Sequence, residues 1–221
     1  MRFSLLQPRC IILMHCASRM HLSSDECCRS GAKAETAWEV RMNDTEERHG
    51  EAFEFSEQLT VVGRKLRQGD TAPAFCLERF DAAEGAIRTV LLSNTSGTVR
   101  LLNVVNSLDT PVCQVETRRW EKMREALPEA VTVYTISMDL PFAQSRWSLS
   151  ESIQHQLLSA HRSEDFGRHY GVLLKEWRLL QRAVFVIDRD DRITHVEYIP
   201  DQMNEPDYDA AAMAVQAASA S

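Results

Sequence analysis

Apolar positions in the first half of the chain come as alternating or unbroken short runs, and beyond residue 113 they take up a helical period. "FEF" and "LTVVG" are short β-type runs, each followed by polar or turn residues, and predict a hairpin with order beginning near Phe53. "GDTAPAFCL" gives a turn, a proline and a short strand around residues 74–77, and "AIRTVLLS" alternates like a further strand. "TVRLLNVVN" (98–106) is nearly all apolar, as expected of a central strand buried on both faces. Next, Val112, Val115, Trp120, Met123 and Leu127 fall near one helical face, leaving Glu116, Arg118, Arg119 and Glu121 largely outside it. "PEAVTVYTISM" is the next buried strand. Pro141 opens a short helix, "PFAQSRW", and "SESIQHQLLSA" predicts another with Ser150 as its N-cap. "RAVFVID" (182–188) turns through "RDD" into "RITHVEYI" as a hairpin, and "EPDYDAAAMAVQAA" ends the domain as a helix with Pro206 in its first turn. No internal repeat interrupts this order. Strands alternating with helices, then a late hairpin, predict an α/β domain with a mixed sheet.

Composition narrows the function classes. The 221 residues allow one ordinary domain plus a tail, and a hydrophobic fraction of 44% suffices for a packed core. Net charge is -7 without a basic stripe, which argues against nucleic acid as a partner. No apolar run approaches the ~20 residues of a membrane helix. At the N-terminus, Gln7, Pro8 and Arg9 split the apolar stretch and no small-residue cleavage site follows, against a secretory signal. Asp25, Glu26 and Glu35 argue against an organellar transit peptide. The expected organisation is a poorly ordered extension over residues 1–50, with Met42 as an alternative start, and a domain over 51–218. Cys10, Cys16, Cys27 and Cys28 fall in the extension, leaving Cys76 and Cys113 for the domain, too few for a disulfide scaffold. The vicinal Cys27 and Cys28 have no His or Cys at ligand spacing, and His155, His161, His169 and His195 are scattered, so no metal or organic cofactor is implied. This pattern suits a reducing cytoplasm.

Cys113 carries the chemistry. It stands just past a central strand, in the first turn of a helix, where α/β sheets gather active groups and where unpaired N–H groups favour thiolate over thiol. A free cysteine, with a pKa of ~8.5, is only a few per cent thiolate at neutral pH. Making it mostly thiolate takes about 3–4 kcal/mol, and a helix terminus typically supplies ~0.3–1 kcal/mol. A second cation is therefore needed. Arg118 and Arg119 lie roughly one and a half turns along the helix and point elsewhere. Arg182, heading an apolar strand, can bring its charge to the site while the strand stays buried. Position alone leaves Cys113 divided between a nucleophile and a small buried hydrophobe.

The surrounding strings resolve that division. "DTPVC" matches the TxxC core of the peroxiredoxin active site. With "SMDLPFAQSRW", "HRSEDFGRHYGV", "LLQRAVFVID" and "EPDYDAA" in order and spacing, residues of about 51–217 resemble the thiol peroxidase branch, the atypical two-cysteine peroxiredoxins. "LTVVGRKLRQGDTAPAFCL" is similar to that family's N-terminal hairpin. The resemblance implies a thioredoxin-like fold, a central mixed β-sheet flanked by helices with an N-terminal β-hairpin extension, and a homodimer. It implies reduction of hydrogen peroxide and organic hydroperoxides by an external thiol, from a thioredoxin-like protein or a small molecule. Cys113 matches the peroxidatic nucleophile, Thr110 the threonine that orients peroxide and cysteine, and Arg182 the active-site arginine. Leu140, Pro141, Phe142, Ala143 and Gln144 match the segment beside the resolving cysteine.

Two positions depart from the family pattern. Asn106 stands where the family carries proline (PxxxTxxC), and Ser148 stands where it carries the resolving cysteine. A hydroxyl cannot form a disulfide with a sulfenic acid, so a one-cysteine cycle is expected, with Cys76 as the alternative resolver. The rival enzymatic reading, a cysteine phosphatase on the C-x5-R string from Cys113 to Arg119, lacks the preceding His, the loop Gly and the following Ser or Thr. The non-enzymatic rival is a peroxide sensor or redox-signalling protein that reacts once and stalls.

Overall fold

The computed structural model describes residues 45–128 and 130–220. The hairpin opens with β1 (Glu47–Glu54) and β2 (Glu57–Val62), antiparallel and joined by a tight turn through Phe55 and Ser56. Order thus starts before Phe53, within the stretch assigned by sequence to the extension. Up to residue 44 that expectation, Cys27 and Cys28 included, lies outside the described residues. The chain continues through β3 (Cys76–Asp81) and β4 (Ala86–Leu91) to β5 (Arg100–Val104), whose five residues are all buried as the unbroken apolar run predicts.

Helix α1 (Pro111–Arg124) follows, then β6 (Thr132–Ser137), α2 (Pro141–Glu151), β7 (Gln156–Ser159) and the short α3 (Asp165–His169). Two-residue strands β8 (Leu173–Leu174) and β9 (Leu179–Leu180) precede β10 (Ala183–Ile187), β11 (Ile193–Tyr198) and α4 (Tyr208–Ala220). The larger sheet has seven strands in the order β11-β10-β5-β6-β7-β3-β4, with β5, β6 and β7 parallel and the remaining pairs antiparallel. The expected mixed sheet is present. A second sheet, β1-β2-β8-β9, holds the hairpin. There the backbones approach closely: a Cβ on Gly63 would lie 2.0 Å from Arg168 O, and one on Gly171 would lie 2.3 Å from Arg64 O. No side chain fits at either position.

Strand alternation splits the core. Leu102, Val104, Tyr134, Ile136 and Phe185 join Phe75, Phe166 and Tyr170 on one face of the sheet. Leu101, Val133, Val184 and Val186 pack on the other face against Trp120 of α1 and Tyr208, Ala211 and Val215 of α4.

Two sequence expectations are corrected. Helix α1 buries Cys113, Glu116, Thr117 and Trp120, whereas Val115 is 48% exposed. Trp120, the largest fully buried side chain, fixes the inward stripe, and residues three, four and seven positions before it share its face. Glu116 is therefore inside rather than outside. The second correction concerns "SESIQHQLLSA". Helix α2 runs on through Ser150 to Glu151 and ends at Ser152, which takes the left-handed conformation at φ 58°. Residues 156–159 then form β7, parallel to β6. A short apolar run does not distinguish strand from helix by period, and here sheet pairing decides.

Candidate active site

The site lies at the carboxyl end of β5. Past Val105 and Asn106 the chain turns through Ser107–Asp109 into α1, and Asp139 holds this turn. Its carboxylate accepts from Ser107 Oγ (2.7 Å), Leu108 N–H (2.8 Å) and Ser137 Oγ (2.8 Å). Thr110 is the N-cap residue, in extended conformation, and Pro111 is the first helical residue, where a missing N–H costs nothing. The Thr110 hydroxyl donates to Ser107 O (2.9 Å) rather than capping the helix, so its oxygen remains an acceptor. Cys113 consequently sits in the first helical turn, among amides with no intrahelical acceptor.

Cys113 is 0% exposed and packs with Val105, Leu108, Ile153, Leu157 and the half-buried Trp147. Arg182, immediately before β10 and 1% exposed, donates from Nη2 to Cys113 Sγ at 3.4 Å. The structure thus joins the expected nucleophile and the expected arginine. It also places Arg118 and Arg119 elsewhere: Arg118 pairs with Glu151 and lies over Trp147, while Arg119 pairs with Glu205 and lies over Tyr208. The C-x5-R string therefore forms no phosphate cradle.

Three further residues complete the surroundings of Arg182. Glu116, 0% exposed, takes Nη1 in a buried ion pair. Gln202, in the loop after β11, accepts from the Arg182 backbone N–H through Oε1 (2.9 Å) and from Nη2 through its carbonyl (3.0 Å). Asn106 donates from Nδ2 to Leu180 O (2.6 Å) and Gln202 Oε1 (3.0 Å). Those two acceptors fix the amide, and its Oδ1 faces Cys113 Sγ at 4.0 Å. Gln202 also joins the site to the hairpin. Its N–H donates to Phe53 O (2.9 Å), Phe53 N–H donates to Pro200 O (2.8 Å), and Gln181 Nε2 donates to Glu51 O (3.1 Å).

Burial works against charge on Arg182, but Glu116 and Cys113 outweigh it and hold the guanidinium protonated. Burial pushes the Glu116 carboxyl well above the usual carboxylate range, and Arg182 only partly offsets that. Sequence reading missed Glu116 and Gln202. Glu116 had a usable signal, since it follows Cys113 by one helical turn and so shares its face. Gln202 had none, being a loop residue brought in by the sheet.

The segment around Ser148 is also defined. Pro141 and Gln144 of α2 are buried, and Gln144 Nε2 donates to Ser137 Oγ and Leu158 O, both at 2.9 Å. Leu140 and Phe142 are exposed. Ser148 is half-buried and accepts through its carbonyl from Ile153 N–H (3.0 Å), the residue that packs on Cys113. Ser148, Ile153, Leu157 and Gln144 line a cavity of about 170 Å³. Cys113 is the free cysteine among the described residues, and Cys76 is disulfide-bonded, hence not to Cys113.

The histidines form no cluster at the site. His155 joins a separate buried chain in which Glu121 meets His155 Nδ1 (2.6 Å), His155 Nε2 meets Thr135 Oγ1 (2.9 Å), and Asn103 Nδ2 donates to Thr135 Oγ1 (3.1 Å). Among the described residues, no group of three or more His, Cys, Asp or Glu could hold a metal ion, and no helix is long and apolar enough to cross a membrane.

Comparison with known proteins identifies the family. Residues 68–196 match the AhpC/TSA family. A thiol peroxidase from Oceanobacillus iheyensis is 44% identical over 156 residues, covering 70% of this chain and 92% of the relative. A thiol peroxidase from Halalkalibacterium halodurans is 43% identical over 161 residues, covering 72% and 93%. Among solved structures, a peroxiredoxin-like protein from Aquifex aeolicus superposes with a TM-score of 0.66 at 32% identity, covering 76% of this chain and 96% of that one. The thioredoxin-like α/β fold, the family match and these relatives together establish that the chain belongs to the AhpC/TSA family, in its thiol peroxidase branch.

Proposed function

We propose that the protein reduces hydrogen peroxide and organic hydroperoxides at Cys113 in a one-cysteine cycle. The observation that carries this reading is the buried contact of Arg182 Nη2 with Cys113 Sγ at 3.4 Å, in the first turn of a helix. The Cys113 thiolate attacks one peroxide oxygen. The sulfur–oxygen bond forms as the O–O bond breaks, and the electron pair leaves on the second oxygen, which takes up a proton as water or alcohol. Arg182 and the first-turn amides of α1 stabilise the charge that develops on the leaving oxygen. Thr110, its own proton given to Ser107 O, accepts from the peroxide O–H and sets the line of attack.

The sulfenic acid is then reduced by an external thiol, which forms a mixed disulfide and releases water, and a second thiol frees Cys113. Ser148 cannot resolve it. Ile153 and Leu157 line the cavity beside Ser148 and also belong to the cluster that packs Cys113. The reductant is a thioredoxin-like protein or a small thiol, and the working form is a cytoplasmic homodimer. A second reading, a sensor that reacts once, is favoured by the acceptor that Asn106 turns toward the sulfur.

The test is peroxide consumption with dithiothreitol and then with thioredoxin, in wild type, Cys113→Ser and Ser148→Cys. Turnover with an external thiol, lost in Cys113→Ser, is expected. Ser148→Cys is expected to form a disulfide with Cys113 and gain turnover with thioredoxin. Stoichiometric oxidation of Cys113 without turnover on either thiol would establish the sensor instead.

A further inference from the structure

Arg182 is a single cation with two acids on it, and all three are shut away from water. Cys113 and Glu116 are each 0% exposed and Arg182 is 1% exposed. Nη1 meets the carboxylate and Nη2 meets the sulfur, so both acids occupy one guanidinium edge, one helical turn apart on α1. A dry site holding one positive charge accommodates one negative charge, because a second, unbalanced anion would carry a large desolvation penalty. Glu116 Oε1 and Arg182 Nε are both buried without a hydrogen-bond partner, so neither has an outlet beyond this triad.

We propose that Glu116 is a positioning residue that shares one proton with Cys113 across the Arg182 fork, so that Cys113 is thiolate when Glu116 carries the proton and thiol when it does not. This deepens the peroxidase reading and rests on it only for the use made of the thiolate. The exchange is balanced: the proton leaves sulfur for the carboxylate, total charge stays fixed, and Arg182 remains protonated throughout.

The neighbouring charges bias the exchange. Glu205 of the loop before α4 and Glu197 of β11 both oppose the ionisation of Glu116. Tyr208 of α4 is neutral and its hydroxyl donates to Glu205. Arg119, on the same helix, is exposed and directed at Glu205 and Tyr208. Among the described residues Arg182 is the cation paired with Glu116, and the acidic surroundings push the proton onto the carboxyl. Asn106 works the other way, since its Oδ1 is an acceptor and favours the protonated sulfur. The two opposing groups hold the site near balance.

Glu116→Gln tests this directly. The amide keeps the shape and can still accept from Arg182, but it cannot take the negative charge, so Cys113 alone has claim to the cation. Alkylation of reduced protein by iodoacetamide at pH 7 is expected to run about tenfold faster than wild type, with the midpoint of its pH profile lower by about one unit. An unchanged or slower rate would overturn the proposal, because a residue that merely anchors Arg182 would lose reactivity when weakened. Should that variant fail to fold, the infrared difference spectrum of wild type before and after alkylation of Cys113 gives the answer. Loss of a protonated-carboxyl stretch, absent from Cys113→Ala, is expected, and no change in that band would refute the sharing. Neither readout uses peroxide. Failure of turnover with the alkylation shift intact would count against the peroxidase reading alone.

Discussion

Replacing Arg182 by methionine removes the charge while filling a similar volume. At 3.4 Å and an effective dielectric of ~20, two unit charges interact by roughly 5 kcal/mol. Glu116 draws on the same cation, so about half of that, roughly 2–3 kcal/mol, supports sulfur as thiolate and in the transition state. At about 1.4 kcal/mol per tenfold, sulfenic acid formation should slow about 30- to 150-fold. Stability should fall by about 3 kcal/mol, with Glu116 taking up a proton once its partner is gone. The assay is single-turnover oxidation by stopped flow, read through Trp147, which packs in the Cys113 cluster. Arg182→Lys separates charge from geometry. A lysine keeps the charge but cannot span Glu116, the sulfur and Gln202 O at once, so its rate should fall between wild type and Arg182→Met. A folded Arg182→Met protein that reacts within about threefold of wild type would refute the electrostatic role assigned to the arginine.

Asn106→Pro installs the proline that the resemblance leads one to expect there and removes the oxygen facing Cys113 Sγ. Peroxide should react about two- to fivefold faster, while the amide's bonds to Leu180 O and Gln202 Oε1 are lost at about 1–2 kcal/mol of stability, measured by denaturant unfolding; a slower reaction would contradict the assignment of Asn106 Oδ1 as an acceptor opposing the thiolate. Glu121 bears on pH dependence. Burial alone would raise its carboxyl, but hydrogen bonds from His155 and Arg124 prevail and hold it well below the usual range. An acid depressed in the folded state contributes stability that is present above its unfolded value of ~4.3 and is lost as pH falls through the folded value. Glu121→Gln should therefore cost about 2 kcal/mol at neutral pH and progressively less below about pH 4, as read from unfolding curves across that range. A cost that does not change with pH would show that the carboxylate charge is not what matters.

The order of the main strands was legible because their apolar runs are buried on one or both faces, and Arg100–Val104 and Ala183–Ile187 are buried throughout. The meeting of Cys113 with Arg182 was legible for a related reason. A joint between strand and helix needs Cys113 in the first turn, and a charge at a strand end can reach it. What escaped notice depends on side chains that contradict their own polarity. Glu116 was placed outside on hydrophobicity, yet the stripe ending at Trp120 carries it in, where Arg182 satisfies it. The strand at Gln156–Ser159 escaped for lack of periodicity, and only pairing with Thr132–Ser137 fixes it. Asn106 was noted as a missing proline, but the direction of its amide is set by Gln202, nearly a hundred residues further along the chain.

The link from the hairpin to Gln202 bears on how this chain can be shortened or fused. A β-extension that merely decorated the fold could be trimmed as a removable module. Here Phe53 pairs with the backbone at Pro200 and Gln202, and Glu51 holds the side chain of Gln181 next to Arg182, so the extension is a brace for the buried guanidinium. Deleting residues of β1 would leave the seven-stranded sheet and Cys113 in place but slacken the loop that aims the guanidinium. A protein cut back in this way would still look like a peroxidase in its fold and would lose its speed.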